Sequence, residues 1–202
     1  MRIFLVRHGE TESNRNGLAL GRADVPLNER GRWQAGRLAK ALAGEPLAMI
    51  YASPLGRTMD TARAIARDHA LDVQVEPDLV EMDIGEMDGL TFAEVRSRYP
   101  AFLDSWGRPD GPETPMPGGE RLVDVQQRAW AALQAISARH PNESVCVVTH
   151  NFVILSLFAT ALQIDLAHFR RLRHAVAAIS VLDVTPDRIR ILSLNDTCHL
   201  EQ

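Results

Sequence analysis

Short apolar runs alternate with segments of helical periodicity along most of the chain. Runs with the length of β-strands lie at 2–6, 49–52, 73–75 and 145–149. Two further strand-like runs, at 176–184 and 188–194, are joined through 185–187 and predict an antiparallel pair. Because strands that alternate with helices build layered sheets, the pattern predicts an α/β fold. We expect a three-layer α/β/α sandwich around a mostly parallel mixed sheet with an antiparallel C-terminal edge.

Capping residues predict where several helices begin and end. Asn28 can cap a helix that ends before Gly44. Thr91 and Glu94 have the spacing of a capping box, which predicts a short helix that stops at Pro100.

Residue patterns predict two more helices and one loop. Apolar residues at helical spacing predict a long helix that starts near residue 122, and an almost wholly apolar helix should follow His150. The segment 106–120 is rich in turn-forming residues and lacks periodicity, which predicts an ordered loop or lid.

Size and composition narrow the class of protein. A chain of 202 residues with 46% hydrophobic composition can bury one core, so we expect a single domain over 1–202. The net charge of -4 argues against nucleic acid as a partner. No apolar run reaches the about 18 residues that a membrane helix needs, so we expect no membrane association. Two cysteines fit a reducing compartment and predict a cytoplasmic protein.

The residues after the first strand carry candidate chemistry. Arg7 and His8 follow the strand directly, and open α/β sheets place ligands at the carboxyl ends of their strands. A neutral imidazole is a competent nucleophile near neutral pH. Arg7 offers a fork for phosphoryl oxygens, Gly9 would let the backbone approach an anion, and Thr11 and Asn14 add neutral donors. Taken alone, His8 could equally be a structural histidine or a metal ligand.

Two more strand ends bring similar residues. Arg57 lies in the first turn of the helix that follows the second strand, where free N–H groups favour an anion. His150 ends the apolar run at 145–149. We therefore expect His8, Arg57 and His150 at the same edge of the sheet.

The motifs together resemble the histidine phosphatase superfamily, also called phosphoglycerate mutase-like. The likeness covers nearly the whole chain and rests on RHGET with Asn14, GRADVPLNERGRWQA, SPLGRTMDTA, Glu81 with Gly85 and Gly89, PGGE, and VVTH. The resemblance implies that His8 is phosphorylated and that Arg7, Arg57 and His150 surround the phosphoryl group. It also implies substrate contacts, which we assign to Thr11, Asn14, Gly21, Asn151 and His199 in addition to Arg7, Arg57 and His150.

A general acid is needed because an alkoxide is a poor leaving group, and the resemblance assigns that role to Glu81. Asp83 and Glu86 lie close to Glu81 in sequence and are other candidates for the acid. Alternatively, the three residues form an ordinary solvated acidic turn without a catalytic role.

A metal or cofactor is not expected. Two arginines and a histidine can stabilise a phosphoryl group without magnesium, and arginines beside His8 and His150 would repel a cation. The sequence also lacks a Walker-type loop, an HExxH helix and a GxSxG elbow.

The substrate is less constrained than the reaction. A small phosphorylated metabolite is the expected partner. The tail at 194–200 looks like that of metal-independent phosphoserine phosphatases, and this resemblance implies that His199 contacts a substrate carboxylate; the alternative is that His199 is a polar terminal residue with no ligand. Alternatives are an α-ribazole-5'-phosphate or broad-specificity phosphatase, a cofactor-dependent phosphoglycerate mutase, and a catalytically silent regulator that binds a phosphorylated ligand. The family resemblance further predicts a homodimer.

Some residues depart from the family pattern or stand outside it. Asn151 replaces a common glycine, Met87-Asp88 replaces a frequent Trp-Glu pair, and Ser13 replaces a frequent tryptophan. These changes affect the expected substrate preference. The basic cluster at 169–174 is either a solvated helix end or a recruiter of anionic substrate.

Overall fold

A computed structural model describes residues 1–185 and 188–201. Six strands form one sheet: β1 (Arg2–Arg7), β2 (Leu47–Ala52), β3 (Val73–Val75), β4 (Ser144–Thr149), β5 (Ile179–Thr185) and β6 (Arg188–Asp196). Their order across the sheet is β3-β2-β4-β1-β5-β6. Neighbours from β3 to β1 run parallel, whereas β5 pairs antiparallel with both β1 and β6. The predicted mixed sheet with an antiparallel C-terminal edge is confirmed.

Seven α-helices connect or flank the strands in the described chain: α1 (Glu12–Arg15), α2 (Glu29–Leu42), α3 (Gly56–His69), α4 (Phe92–Arg98), α5 (Pro100–Trp106), α6 (Leu122–Arg139) and α7 (Asn151–Ala161). Short 3-10 segments include Gly85–Met87, Gly111–Glu113, Leu166–Arg171 and Cys198–Leu200. No α-helix in the described residues is long and apolar enough to cross a membrane.

The sheet separates two apolar cores because successive strand residues point to opposite faces. Ile3 and Leu5 of β1 pack in the core that includes residues of α6 and α7. Phe4 and Val6 pack in the core that includes residues of α2 and α3. The chain therefore has the expected helix, sheet and helix layers.

Most predicted helix ends agree with the structure. The Asn28 side chain accepts the Gly31 N–H at 2.8 Å and caps α2, and Thr91 forms its capping box with Glu94. Pro100 is different, because it both follows α4 and begins α5, a helix that the sequence patterns did not predict. Proline suits the first turn of a helix, where its missing N–H is not needed.

The first of the two C-terminal strands begins later than predicted, whereas the second begins at Arg188 as predicted. The run at 176–184 becomes a strand only from Ile179, since Ala177 adopts a left-handed conformation with φ of 55°. The Ala177 N–H donates to the His8 carbonyl at 3.0 Å. Pro186 and Asp187, which the sequence assigns to the connecting turn, lie outside the described residues.

The segment 106–120 is an ordered loop that is attached to the chain around residue 85. Glu86 N–H donates to the Pro117 carbonyl at 2.9 Å, and Glu120 N–H donates to the Asp83 carbonyl at 2.8 Å. Met116 is buried. These hydrogen bonds hold the loop at 106–120 against the segment around residue 85.

Helix α2 packs unusually close to the loop that follows His8. A Cβ on Gly31 would collide with the backbone of Glu10, and a Cβ on Gly9 would collide with the Gly31 carbonyl. Asn28 strengthens the contact, since its backbone N–H donates to the Glu10 carbonyl at 3.0 Å. Two glycines thus allow the start of α2 to support the loop.

Replacing Gly31 by alanine should therefore destabilise the fold. We expect Gly31→Ala to lower the free energy of unfolding by about 1–3 kcal/mol, because the new methyl group must displace backbone. Gly36→Ala in the same helix is the matched control, since no atom lies within 4 Å of its added Cβ. It should raise stability by about 0.5–1 kcal/mol. Urea unfolding measures both, and equal changes in the two variants would contradict the packing argument.

Candidate active site

Three neighbouring parallel strands deliver side chains to one edge of the sheet. His8 follows β1, His150 follows β4 and Ser53 follows β2. Arg57 lies in the first turn of α3. The ring centroids of His8 and His150 are 5.2 Å apart. The structure therefore brings together the residues that the sequence predicts at this edge.

His8 is held with one ring nitrogen free to act as a nucleophile. Its side chain is 2% exposed, and Nδ1 lies 2.7 Å from the Gly9 carbonyl oxygen. A carbonyl only accepts, so we assign the proton to Nδ1 and the lone pair to Nε2. Burial, followed by the positive charges of Arg7 and Arg57, lowers the pKa of His8 well below its ordinary value. His8 is neutral at neutral pH.

Gly9 has a different role from the one that the sequence suggested. Its N–H donates to Thr61 Oγ1 at 3.1 Å, and the side where a Cβ would stand faces the Gly31 carbonyl. The glycine therefore permits the close packing of α2 and does not approach an anion, because its N–H is bonded to Thr61 and its Cβ side is filled by Gly31.

Arg7 is a half-buried cation whose guanidinium is only partly satisfied. Its Nη1 donates to the His174 carbonyl at 2.6 Å and to Asn151 Oδ1 at 3.1 Å. Its Nε is buried without a hydrogen-bond partner in the described chain. Burial lowers the pKa of Arg7 to about 10, so the group stays cationic at neutral pH.

Arg57 is fully buried and is held in the same way. Its Nη2 donates to the Gly21 carbonyl at 2.7 Å, and its Nη1 donates to the Ala23 carbonyl at 2.8 Å. Asp88 in turn accepts the N–H groups of Gly21 and Ala23. Arg57 Nε is also buried and unpaired with any described atom. Gly21 and Asp88 therefore orient this guanidinium.

His150 is buried beside both arginines. Its Nε2 lies 2.7 Å from Ser53 Oγ. Since Ser53 Oγ also accepts the Leu55 N–H at 3.4 Å, its own proton can point at Nε2, which places the His150 proton on Nδ1. Burial, and then Arg57, lowers the pKa of His150 well below its ordinary value. Nδ1 has no partner within the described residues.

These contacts leave a buried cluster of donors without an acceptor. Nε of Arg7, Nε of Arg57 and Nδ1 of His150 are each unsatisfied, although buried polar groups normally find a partner. They belong to a group of two guanidinium cations, those of Arg7 and Arg57, and two neutral imidazoles, those of His8 and His150. An anion with several oxygens can accept hydrogen bonds from such nitrogens and offset the buried positive charge.

Glu81 is the carboxylate beside this cluster. Its Oε1 accepts the Met82 N–H at 2.9 Å, and its Oε2 accepts the Phe152 N–H at 3.3 Å. Burial raises the pKa of Glu81 above its ordinary value, despite these bonds and the charges of Arg57 and Arg7. Asp83 is half-buried and Glu86 is exposed. Of the three acidic residues considered from the sequence, Glu81 alone is buried near the arginines.

A network of charged side chains fixes the backbone at Glu81. The Glu81 carbonyl accepts from Arg22 Nε and from Arg128 Nη2, both at 3.2 Å. Both arginines pair with Glu120, at 3.1 Å for Arg22 and 3.0 Å for Arg128. Glu120 Oε2 also accepts the Asp83 N–H at 3.1 Å. The PGGE motif that ends at Glu120 thus positions the candidate acid.

The other predicted contact residues occupy mixed positions. Thr11 is buried, and its hydroxyl oxygen caps α1 by accepting the Asn14 backbone N–H at 3.2 Å while the hydroxyl proton goes to Asn14 Oδ1 at 3.0 Å. Asn14 and Asn151 both line the cavity described below. His199 does not line it within the described structure, and its Nε2 lies 3.0 Å from the Ala177 carbonyl.

Several contributing residues were not assigned to the site individually by sequence reasoning. His174 accepts from Arg7 through its carbonyl, and its buried ring lies 3.0 Å from Ser180 Oγ. Burial lowers the pKa of His174 to about 4. Ser53 and Arg128 are the other examples. Ser53 belongs to the quoted SPL motif, whereas nothing in the sequence pattern distinguishes Arg128 from the other arginines.

A cavity of about 1110 Å³ opens in front of Arg7. Its walls include residues from α4, α5, α7 and the loop at 106–120. Arg170 and Arg173 of the basic cluster also line the cavity and are exposed. Two arginines of the cluster therefore face the cavity.

The donor set around His8 has the chemistry of an anion site. In the parts of the chain that the structure describes, no group of three or more His, Cys, Asp or Glu residues is arranged to hold a metal ion. The donors around His8 are cationic or neutral N–H groups, and these bind anions.

Comparisons with known proteins agree with this geometry. The family model described as "Histidine phosphatase superfamily (branch 1)" matches residues 3–197. Phosphoserine phosphatase 1 from Hydrogenobacter thermophilus is 37% identical over 200 residues, covering 99% of this chain and 94% of that protein. The metal-independent phosphoserine phosphatase of Arabidopsis thaliana is 34% identical over 205 residues, covering 98% and 82% respectively.

A solved structure shows the same likeness in three dimensions. YhfR from Bacillus stearothermophilus has a TM-score of 0.92 and 33% identity to this chain, with 99% of each chain covered. The predicted family and fold class are confirmed. The chain therefore belongs to the histidine phosphatase superfamily and is a phosphatase.

Proposed function

We propose that this phosphatase hydrolyses small phosphomonoesters through a phosphohistidine at His8, without a metal ion. The observation that carries the proposal is the set of buried, unsatisfied nitrogens on Arg7, Arg57 and His150 around the neutral His8 ring. A phosphoryl group spreads negative charge over three oxygens in the transition state, and fixed donors stabilise that charge.

The first half of the reaction forms the phosphoenzyme. His8 Nε2 attacks phosphorus while the bond between phosphorus and the ester oxygen breaks. Glu81, whose pKa is raised by burial, gives its proton to the leaving alkoxide. An alcohol departs, and phosphohistidine and a Glu81 carboxylate remain.

The second half returns the enzyme to its starting state. The Glu81 carboxylate takes a proton from water while the water oxygen attacks phosphorus. The bond from phosphorus to His8 Nε2 breaks, and inorganic phosphate leaves. His8 is again neutral and Glu81 is again protonated, so no cofactor is consumed.

Phosphoserine is the first candidate substrate. Two of the relatives reported above are named phosphoserine phosphatases. The cavity offers Arg173 for a carboxylate, Glu10 for an ammonium group and Asn14 for hydrogen bonding. A phosphorylated amino acid carries both charges in addition to its phosphoryl group.

His8→Ala should abolish phosphate release. Wild type should release phosphate from phosphoserine with EDTA present, whereas His8→Ala should lose at least about 10³-fold because the nucleophile is gone. His69→Ala, at the far end of α3 from Arg57, is the control and should keep its rate. Acid-labile, base-stable label on the protein after a rapid quench detects phosphohistidine.

Three results would contradict this mechanism. Activity retained in His8→Ala would exclude the nucleophile, and activity lost in EDTA would require a metal. Isomerisation of 3-phosphoglycerate without net phosphate release would identify a mutase.

Glu81→Gln should separate substrates by their leaving groups. We expect kcat/KM for phosphoserine to fall about 10²- to 10⁴-fold, because glutamine cannot protonate the leaving alkoxide. For nitrophenyl phosphate kcat/KM should change little, since nitrophenolate leaves without a proton.

The pH dependence of kcat/KM is a second test of Glu81 as the general acid. Phosphorylation needs a neutral His8, and because the pKa of His8 is lowered from 6.5, the neutral form extends below pH 6.5. It also needs a protonated Glu81, and because the pKa of Glu81 is raised from 4.5, the protonated form extends above pH 4.5. In wild type kcat/KM should therefore decline on the alkaline side as Glu81 ionises, and Glu81→Gln should lose that decline. An unchanged alkaline limb would assign the acid to another group.

We also propose a homodimer that pairs the β6 edges of two copies. Leu192 and Leu194 lie on the same face of this edge strand and are 51% and 44% exposed. Antiparallel pairing centred on Leu192 would place Arg188 of each copy opposite Asp196 of the other, which matches opposite charges. An unpaired edge with exposed apolar residues is suited to such pairing.

Leu192→Lys should convert the dimer to a monomer, because it puts two like charges at the centre of the pairing. Sedimentation velocity measures the change. Leu162→Lys, on a leucine that is 45% exposed beyond α7, is the control and should leave the dimer intact. A wild-type monomer, or a dimer that survives Leu192→Lys, would overturn this pairing.

A cytoplasmic location is part of the same proposal. Cys146 and Cys198 are both free thiols, one buried and one exposed, and free exposed thiols suit a reducing compartment.

A further inference from the structure

We propose that Asn195 is a positioning residue for the reaction, because its side chain orients the backbone carbonyl that holds Arg7. Asn195 lies near the end of β6, is half-buried and is not among the described residues that line the cavity in front of Arg7. It acts through residues 174–178, which precede β5 and which we call the support segment. The inference rests on the phosphoryl-binding role proposed above for Arg7 and adds a residue that determines where its guanidinium lies.

The support segment is bonded to both residues that follow the apolar run of β1. Arg7 Nη1 donates to the His174 carbonyl at 2.6 Å, and the Arg7 backbone N–H donates to the Ala178 carbonyl at 3.3 Å. The Ala177 N–H donates to the His8 carbonyl at 3.0 Å. The support segment therefore holds the guanidinium and supports the backbone of the nucleophile.

One peptide group links Asn195 to Arg7. Asn195 Oδ1 accepts the Ala175 N–H at 2.7 Å. This N–H and the His174 carbonyl belong to the same peptide bond, which is planar and trans, so they point in opposite directions. No freely rotating bond lies between them. The Asn195 side chain therefore sets the direction in which the carbonyl faces Arg7.

The same hydrogen bond makes the carbonyl a better acceptor. A peptide group whose N–H is bonded is polarised, and its carbonyl oxygen then accepts a hydrogen bond more strongly. Arg7 depends on such acceptors, because burial disfavours its charge and lowers its pKa to about 10. Asn195 thus acts on the strength as well as the direction of the bond to Arg7.

A β-bulge brings the Asn195 side chain to the support segment. In the register of β5 with β6, the flanking pairs are Val181 with Ser193 and Ile179 with Asp196. One residue of β5 therefore faces two of β6, and Asn195 is the second of those two. Its φ of 56° is a left-handed conformation that asparagine tolerates better than most side chains. Bulges of this kind redirect side chains and are common beside active sites.

Ser180 ties the bulge to the ring of His174. Ser180 is fully buried, and its Oγ accepts the Asn195 N–H at 2.8 Å. The single hydroxyl proton can therefore go to His174 Nε2, which lies 3.0 Å away. A neutral imidazole is needed for this bond, and burial lowers the pKa of His174 to about 4. Both the backbone and the ring of His174 are thus fixed by the same bulge.

Two substitutions of Asn195 separate its side-chain bond from its backbone conformation. Glycine adopts the φ of 56° without strain but offers no acceptor, whereas aspartate keeps an acceptor oxygen. For Asn195→Gly we expect kcat/KM for nitrophenyl phosphate to fall about 10- to 100-fold, because a misdirected guanidinium binds the phosphoryl group poorly. The inhibition constant of inorganic phosphate should rise about tenfold. Asn195→Asp should stay within about twofold of wild type in both measurements.

Gln163→Gly is the matched control for the change to glycine. Gln163 also has a left-handed φ, of 55°, but it is exposed and lies beyond the end of α7. The variant should keep both kcat/KM and the phosphate inhibition constant, and urea unfolding shows that each variant is folded in the assay. A loss in Asn195→Gly no larger than in Gln163→Gly, or an equal loss in Asn195→Asp, would overturn the proposal.

A double-mutant cycle with Arg7→Ala distinguishes positioning from a general structural role. If Asn195 acts through Arg7, adding Asn195→Gly to Arg7→Ala should change kcat/KM by no more than about twofold. Losses that multiply in the double variant would overturn the proposal, because Asn195 would then act on another part of the site.

The Arg7→Ala single variant tests the proposed function separately. An unchanged phosphate inhibition constant in Arg7→Ala would remove the phosphoryl-binding role of Arg7, and this inference with it. A raised constant in Arg7→Ala together with an unchanged one in Asn195→Gly would overturn this inference alone.

Discussion

The structure depends on the burial of two guanidinium groups at the edge of the sheet. A buried cation is costly unless polar groups surround it, and Arg7 and Arg57 obtain most of those groups from backbone carbonyls. Arg57 takes the carbonyls of Gly21 and Ala23, and Arg7 takes that of His174. Loops that are far apart in sequence must therefore meet at this edge. These carbonyls accept only from the Nη atoms of Arg7 and Arg57. The Nε of each arginine has no partner among the described residues and can therefore bind a ligand.

The parts of the fold that follow from local patterns were predictable. Strands β1 and β4 are continuous apolar runs that pair parallel with each other, so the residues after them had to share an edge. This reasoning placed His8, Arg57 and His150 together before any contact was known. Caps such as Asn28 and Thr91 were also visible, since their hydrogen bonds span only three residues.

The rest depends on contacts that no local pattern records. Arg128 reaches the Glu81 carbonyl across 47 positions of sequence, and its identity as an arginine carries no signal in a chain rich in arginine. The role of Gly9 depends on how closely α2 approaches, which is set by Gly31. Helix α5 escaped prediction because Pro100 usually marks an end, whereas here it begins a new helix directly after α4.

Glu120 ties the candidate acid to the wall of the cavity. One carboxylate accepts from both arginines that hold the Glu81 backbone, and it ends the loop that carries Met116 into the cavity wall. Mutations that reshape this loop are therefore expected to displace the backbone of Glu81 as well, whereas α4 and α5 line the cavity without a hydrogen bond to Glu81 among those described. Divergence toward new substrates is expected to accumulate on those two helices, while the loop that ends at Glu120 changes slowly.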